Sequence, residues 1–219
     1  MATGYFITGT DTEVGKTWAT IALMRHLQNR GKLVVGMKPV AAGCAMQDGQ
    51  LKNEDALLIQ ENASVPVAYE LINPYAYELP VSPHIAGADN PADLAQLVVQ
   101  CERLKKLADS VVVEGAGGWY SPLNEREANS DLAVALALPV IMVVAIRLGC
   151  INHARLTYQA IRQSGVSCAG WIAMCTDPAM LSRDENIATI KSAVDAPLLG
   201  VLPYRDIADF EFFSEQLTL

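Results

Sequence analysis

The segment Gly9-Thr10-Asp11-Thr12-Glu13-Val14-Gly15-Lys16-Thr17 follows the apolar run Tyr5-Phe6-Ile7 and leads into a stretch of helical composition. A strand, a glycine-bounded loop and a helix in that order form a phosphate cradle. Consecutive backbone N–H groups curve around the phosphates, the helix turns its positive end towards them, the lysine spans the outer phosphates, and the threonine hydroxyl suits Mg²⁺. Lys16 and Thr17 are therefore the first functional candidates. The loop is a variant, because Thr10 stands where the common pattern has its first glycine, and Gly9 lies one place earlier.

A loop of this kind needs a sheet behind it, and the remaining sequence supplies one. Short apolar or β-branched runs at 5–8, 33–37, 110–113, 140–145, 169–174 and 198–202 read as buried strands. Between them, 16–29, 53–60, 91–107, 130–137, 152–163 and 182–193 read as helices. This alternation predicts an α/β fold, a mostly parallel sheet with helices on both faces. The 219 residues are 51% apolar and 18% charged, with no low-complexity tract or linker composition, which predicts one domain over 1–219.

A formal charge of −8 without a basic run argues against nucleic acid or an anionic membrane as partner. No stretch approaches about twenty uninterrupted apolar residues, and no leader pattern opens the chain, so a cytoplasmic protein is expected. Cys44, Cys101, Cys150, Cys168 and Cys175 form no metal-type spacing and read as free thiols.

In parallel sheets ligands gather beyond the carboxyl ends of the strands. After the second run comes Lys38-Pro39-Val40, after the third Glu114-Gly115-Ala116-Gly117-Gly118-Trp119, and after the fourth Leu148-Gly149-Cys150-Ile151-Asn152-His153. Glu114 ends a run of three valines, where a carboxylate needs a cation or hydrogen-bond donors. Mg²⁺ would serve, and Asp55 is the natural second carboxylate, although a first-turn acid also suits a helix dipole. Lys38 leaves the sheet before Pro39 and can add a second cation beside Lys16. Read from the residues alone, Asn152 is a helix N-cap and Cys150 a small packing residue. His84, in Ser82-Pro83-His84, opens a short helix and is assigned no acid/base role.

Taken in order, the loop Gly9 to Thr17, Lys38-Pro39-Val40, Asn53-Glu54-Asp55-Ala56, Ser82-Pro83-His84, Val113 to Trp119 and Leu148 to Ala154 resemble the dethiobiotin synthetase family. The resemblance runs from residue 5 to about 203. It implies a P-loop NTPase-type fold and an ATP-dependent ring closure of diaminopelargonic acid with CO₂. The carbamate formed on one amine takes up the γ-phosphate, and the second amine then closes the cyclic urea.

It further implies that Glu13, Val14, Gly15, Lys16, Thr17 and Trp18 cradle the phosphates by their backbone. Thr17, Asp55 and Glu114 would hold Mg²⁺, and Lys16, Lys38 and Thr12 would serve the transfer. Gly115, Ala116, Gly117, Met174, Cys175, Pro203, Tyr204 and Arg205 would border the nucleotide. Ala42 would face the substrate, and Gly149, Cys150, Ile151 and Asn152 would bind its carboxylate across a homodimer boundary. Three features depart from the family pattern. Ala42 lacks the usual hydroxyl, Met174-Cys175 replaces an adenine-reading Asn, and 206–213 diverges where an acidic residue lies near the ribose. These predict weak discrimination between bases. Two other readings share the loop. One is another small-molecule ligase or kinase, although no Arg-rich lid or glutaminase region is visible. The other is a partitioning-type ATPase switch, whose signature loop lysine is here Asp11.

Overall fold

Six strands form one parallel sheet in the computed structural model, which describes residues 3–219. They are β1 (Thr3–Gly9), β2 (Val34–Met37), β7 (Ser110–Gly118), β8 (Val140–Ala145), β9 (Cys168–Met174) and β10 (Leu198–Leu202). Their order across the sheet is β10-β9-β8-β1-β7-β2. The valine and isoleucine runs explain this placement. β2 and β8 are buried along their whole length, as strands covered on both faces must be.

The principal helices are α1 (Lys16–Gln28), α2 (Glu54–Glu61), α5 (Leu94–Lys105), α6 (Asn129–Leu136), α7 (Cys150–Gln163), α8 (Arg183–Ala193) and α9 (Phe210–Glu215). Right-handed crossovers place α1, with α2 and α9 against it, on one face, and the α5–α6 and α7–α8 pairs on the other. Short elements decorate the carboxyl edge. β3 (Val40–Ala41) pairs with β6 (Tyr75–Ala76), β4 (Ala45–Gln47) and β5 (Gln50–Lys52) form a hairpin, and α3 (Tyr69–Ile72) and α4 (Pro83–Ala86) lie between.

The chain runs out from β1 to β2, returns to β7, and then passes β1 to reach β8, so strand order reverses around β1. The crevice at such a reversal is where a doubly wound sheet binds ligands. Register sharpens this. Met37 lies opposite Val113, so Lys38 and Glu114 emerge side by side, while Ile7 pairs with Glu114 and places the phosphate loop next to both.

All six expected strands and six expected helices are present, β8 and β10 with the expected ends and the others with ends shifted. β7 runs on through Glu114 to Gly118 because Gly9 pairs with Gly118. α2 begins after Asn53, whose side chain caps it by accepting from the Ala56 N–H at 3.2 Å. α5 begins after Asp93, which caps Ala95 at 2.8 Å and leaves 91–92 outside the helix. α7 begins two residues earlier than expected, at Cys150, with Gly149 in the left-handed region at φ 93° as its cap. Asn152 is therefore an exposed first-turn residue and not the N-cap. The five cysteines are free thiols.

Gly36 allows α1 and α2 to close on β2. A Cβ there would lie 2.3 Å from Ile59 Cγ2 and 3.0 Å from Met24 Sδ. Gly36→Ala should cost about 1–3 kcal/mol through overpacking. Ile59→Ala combined with it should lose less than the sum of the two single changes, as read by urea unfolding. Strict additivity would mean that this contact does not set the cost.

Candidate active site

The loop between β1 and α1 is bent by two residues in the left-handed region, Glu13 at φ 57° and Gly15 at φ 83°. Gly9 is needed at its start, since a Cβ there would come within 2.6 Å of Val14 Cγ2 and 2.8 Å of the Asp11 carbonyl. Val14 is buried beneath the loop. Lys16 donates from Nζ to the Asp11 carbonyl at 2.9 Å. Burial, reinforced by the nearby Lys38 ammonium, pulls its pKa down to about 8, which leaves it mainly cationic at neutral pH.

Lys38 is 5% exposed and Glu114 is wholly buried. The Lys38 ammonium donates to Glu114 Oε1 at 2.5 Å and to Asp55 Oδ2 at 3.1 Å. Burial alone would lower the Lys38 pKa, but Glu114 and Asp55 outweigh it and hold the ammonium above its ordinary value. Burial would likewise raise Asp55, yet Lys38 keeps it below the usual carboxylate range. Thr17 donates its hydroxyl to the same Glu114 oxygen at 3.0 Å, while Glu114 Oε2 is buried without a hydrogen-bond partner among the described residues.

A buried relay fixes Asp55 relative to Lys38. The Asn53 N–H, at the start of α2, donates to Tyr69 Oη at 2.7 Å, Tyr69 donates to Asn73 Oδ1 at 2.9 Å, and Asn73 donates to the Lys38 carbonyl at 2.7 Å. The tail of β7 is held in the same manner. Asn129, 1% exposed, donates to the carbonyls of Ala116 and Gly118 and accepts from the Ala116 N–H at 3.2 Å. Ser121 Oγ accepts from the Gly118 N–H at 2.8 Å.

These groups surround one cavity of about 790 Å³. Of the residues expected at the site, Thr12, Glu13, Gly15, Lys16, Thr17, Trp18, Lys38, Ala42, Asp55, Glu114, Ala116 and Gly117 line it. Asn53, Pro80, Val81, Ser82 and Ser121 join them. Gly115 lies buried behind the wall, where a Cβ would meet Asn129 Oδ1 at 3.1 Å. Met174 is also buried, its side chain turned beneath Gly15, and Cys175 and Tyr204 border a separate recess of about 330 Å³. Arg205 stacks its guanidinium 4.0 Å over the Phe212 ring, and Pro203 is half-buried at the end of β10. Gly149, Cys150, Ile151 and Asn152 stand outside the cavity, with Cys150 buried against α8, where its thiol meets Asn186 Oδ1 at 3.6 Å. His84 is engaged with Ser82 Oγ at 2.9 Å. Sequence patterning missed Asn129, Asn73 and Tyr69, because buried polar residues that support a site from behind carry no motif of their own.

A family model described as an AAA domain matches residues 3–211. The ATP-dependent dethiobiotin synthetase BioD of Cellvibrio japonicus is 44% identical over 217 residues, 98% of this chain and 95% of that protein. The enzyme of that name from Aromatoleum aromaticum is 46% identical over 207 residues, 94% and 92% of the two chains. The chain belongs to the dethiobiotin synthetase family. The Xylella fastidiosa member is 45% identical over 202 residues, 91% of this chain and 89% of that one.

Among solved structures, the septum site-determining protein MinD of Pyrococcus horikoshii, complexed with Mg-ADP, superposes with TM-score 0.61 at 17% identity, covering 99% of this chain and 87% of MinD. Aquifex aeolicus MinD gives 0.61 at 20% identity, covering 98% and 88%. At that identity they establish a shared P-loop NTPase fold and nothing about chemistry.

Asn129→Ala leaves the β7 tail carbonyls without their buried donor. Stability should fall by about 1–3 kcal/mol, and ATP affinity should weaken at a temperature where the protein is still folded, as measured by calorimetry. Unaltered affinity would confine Asn129 to a packing role.

Proposed function

We propose that this cavity closes the ureido ring of dethiobiotin on diaminopelargonic acid, using CO₂ and ATP, in biotin biosynthesis. The observation that carries the reading is the buried Lys38 ammonium between Glu114 and Asp55, lining the same cavity as Lys16 of the phosphate loop, in a chain about 45% identical to synthetases over nearly their whole length.

In this reading one substrate amine adds CO₂ and loses a proton, giving a carbamate whose negative charge Lys38 stabilises. The carbamate oxygen attacks the γ-phosphorus while the bond to the β-phosphate oxygen breaks and ADP leaves. Lys16 swings from the Asp11 carbonyl to the phosphates, and Thr12 lies beside them. The second amine then attacks the carbonyl carbon of the mixed anhydride, the carbon–oxygen bond to phosphate breaks, and the amine proton goes to solvent. Phosphoryl transfer needs charge stabilisation and alignment more than covalent help, and two neighbouring lysines lining one cavity supply both.

Thr17, Asp55 and Glu114 would hold Mg²⁺. The fit is supported by the unpartnered Glu114 Oε2 and the Thr17 hydroxyl beside it. Among the described residues no group of three or more His, Cys, Asp or Glu side chains gathers as a self-sufficient metal cage, which suits an ion that takes most of its ligands from phosphate and water. When bound, the ion neutralises charge on the phosphate oxygens.

The substrate carboxylate meets the first turn of α7 from a second copy, through Gly149, Cys150, Ile151 and Asn152. Two features support this homodimer: the segment stands outside its own cavity, and Leu148 and Leu156, nearby in the chain, and Tyr120, which borders the same recess as Leu156, are 93%, 59% and 64% exposed. The chain forms one domain and acts in the cytoplasm. Among the described residues no helix is long and apolar enough to cross a membrane.

Incubation with diaminopelargonic acid, bicarbonate, Mg²⁺ and each nucleoside triphosphate in turn, read by mass spectrometry, tests the reaction. Dethiobiotin is expected with ATP, and its absence with every triphosphate rejects the reading. Because Met174 is turned under Gly15 and offers no amide to the base edge, other triphosphates should give yields within about tenfold of ATP, on the scale of one lost hydrogen-bond contact. A strict ATP requirement would show that backbone groups read the base.

Lys38→Ala should cut the rate by at least about 10²–10³ and also destabilise the fold, since Glu114 loses its cation. Adding Glu114→Gln should recover the melting temperature and not the activity. Recovery of both would remove Lys38 from the chemistry.

A further inference from the structure

Asp11 is the most connected residue of the phosphate loop. Its carbonyl accepts from Lys16 Nζ at 2.9 Å, its Oδ1 accepts from the Thr12 N–H at 2.8 Å, and its Oδ2 accepts from the Arg147 guanidinium at 2.9 Å. Arg147 belongs to the segment that joins β8 to α7. Its own carbonyl accepts from the Cys150 N–H at 2.9 Å, so it also anchors the first turn of α7. The Thr10 N–H donates to the Val143 carbonyl at 3.0 Å, which ties the start of the loop to the strand that ends just before Arg147.

The Asp11 and Arg147 side chains are 51% and 43% exposed. A pair that open to solvent contributes little to stability, so what it contributes is geometry. Asp11 sets the carbonyl on which Lys16 rests and the N–H of Thr12, while Arg147 sets the turn that presents 149–152. The loop also holds a non-glycine residue in the left-handed region, Glu13 at φ 57°, and such a conformation persists only where its surroundings fix it.

We propose that Asp11 and Arg147 are a positioning pair that couples the phosphate loop to the first turn of α7, so that nucleotide binding and binding of the substrate carboxylate reinforce one another. The inference rests on the reading that 149–152 receive the carboxylate. In a homodimer, the α7 turn of one copy serves the cavity of the other. The pair then links the nucleotide loop of one site to the substrate cradle of its neighbour. Two ligands that each favour one arrangement of a shared element must raise each other's affinity by the same factor.

The test is titration calorimetry of a non-hydrolysable ATP analogue, with and without diaminopelargonic acid, and separately with a diaminoalkane of equal chain length that lacks the carboxylate. In the unaltered protein the diamino acid should tighten the analogue several-fold, and the diaminoalkane should not. Arg147→Ala should bring the enhancement close to one-fold with little change in melting temperature. Arg147→Lys should retain part of it, and the exchange Asp11→Arg with Arg147→Asp should restore part of it. A merely structural pair would not give that rescue pattern. Enhancement by both ligands alike in the unaltered protein overturns the carboxylate reading and the coupling with it, whereas enhancement by neither overturns the coupling alone. Enhancement by the diamino acid alone that persists undiminished in Arg147→Ala overturns the coupling and leaves the carboxylate reading standing.

Discussion

The buried ammonium of Lys38 between Glu114 and Asp55 is the interaction on which the site depends. A wholly buried carboxylate at the end of three valines would be costly to the fold without a cation, and a buried lysine would shed its proton without a carboxylate. Each makes the other tenable. Three separate elements must be in register for the pair to form: Lys38 directly follows β2, β7 carries Glu114, and the first turn of α2 carries Asp55. Parallel pairing of β2 with β7 supplies two of the three positions without any further device.

The third position needs more, and polar residues behind the cavity provide it. Asn53, Tyr69 and Asn73 connect the start of α2 to the Lys38 backbone through hydrogen bonds of 2.7–2.9 Å. Asn129 does comparable work for the β7 tail. Networks of this kind are costly if half-made and rigid if complete. The cavity therefore has a stiff rear wall, while its front is formed by the loop at 10–15 and the segment at 80–83.

Much of this was legible in the residues. The strand–loop–helix at the N-terminus and the valine run ending in Glu114 each express a local rule, namely phosphate-loop chemistry and buried-strand composition. Helix ends were less legible. Asn53 and Asp93 act as caps although local composition places them inside their helices, and Asn152, which has the composition of a cap, is displaced by Gly149 in the left-handed region. The short pairs β3–β6 and β4–β5 left no signal, since two- and three-residue strands are too brief for any periodicity to register. Asn129 and Arg147 were invisible for a different reason: their meaning lies in contacts 13 and 136 positions away in the chain, to Ala116 and Asp11.

Met174 carries a consequence for how such a site can change over generations. Its thioether chain lies directly beneath Gly15, within 2.7 Å of where a Cβ would stand. Any change of residue at 174 therefore also changes what props the loop. A smaller side chain there would leave space under the loop that a neighbouring residue would have to fill in the same step, so the position is constrained by packing.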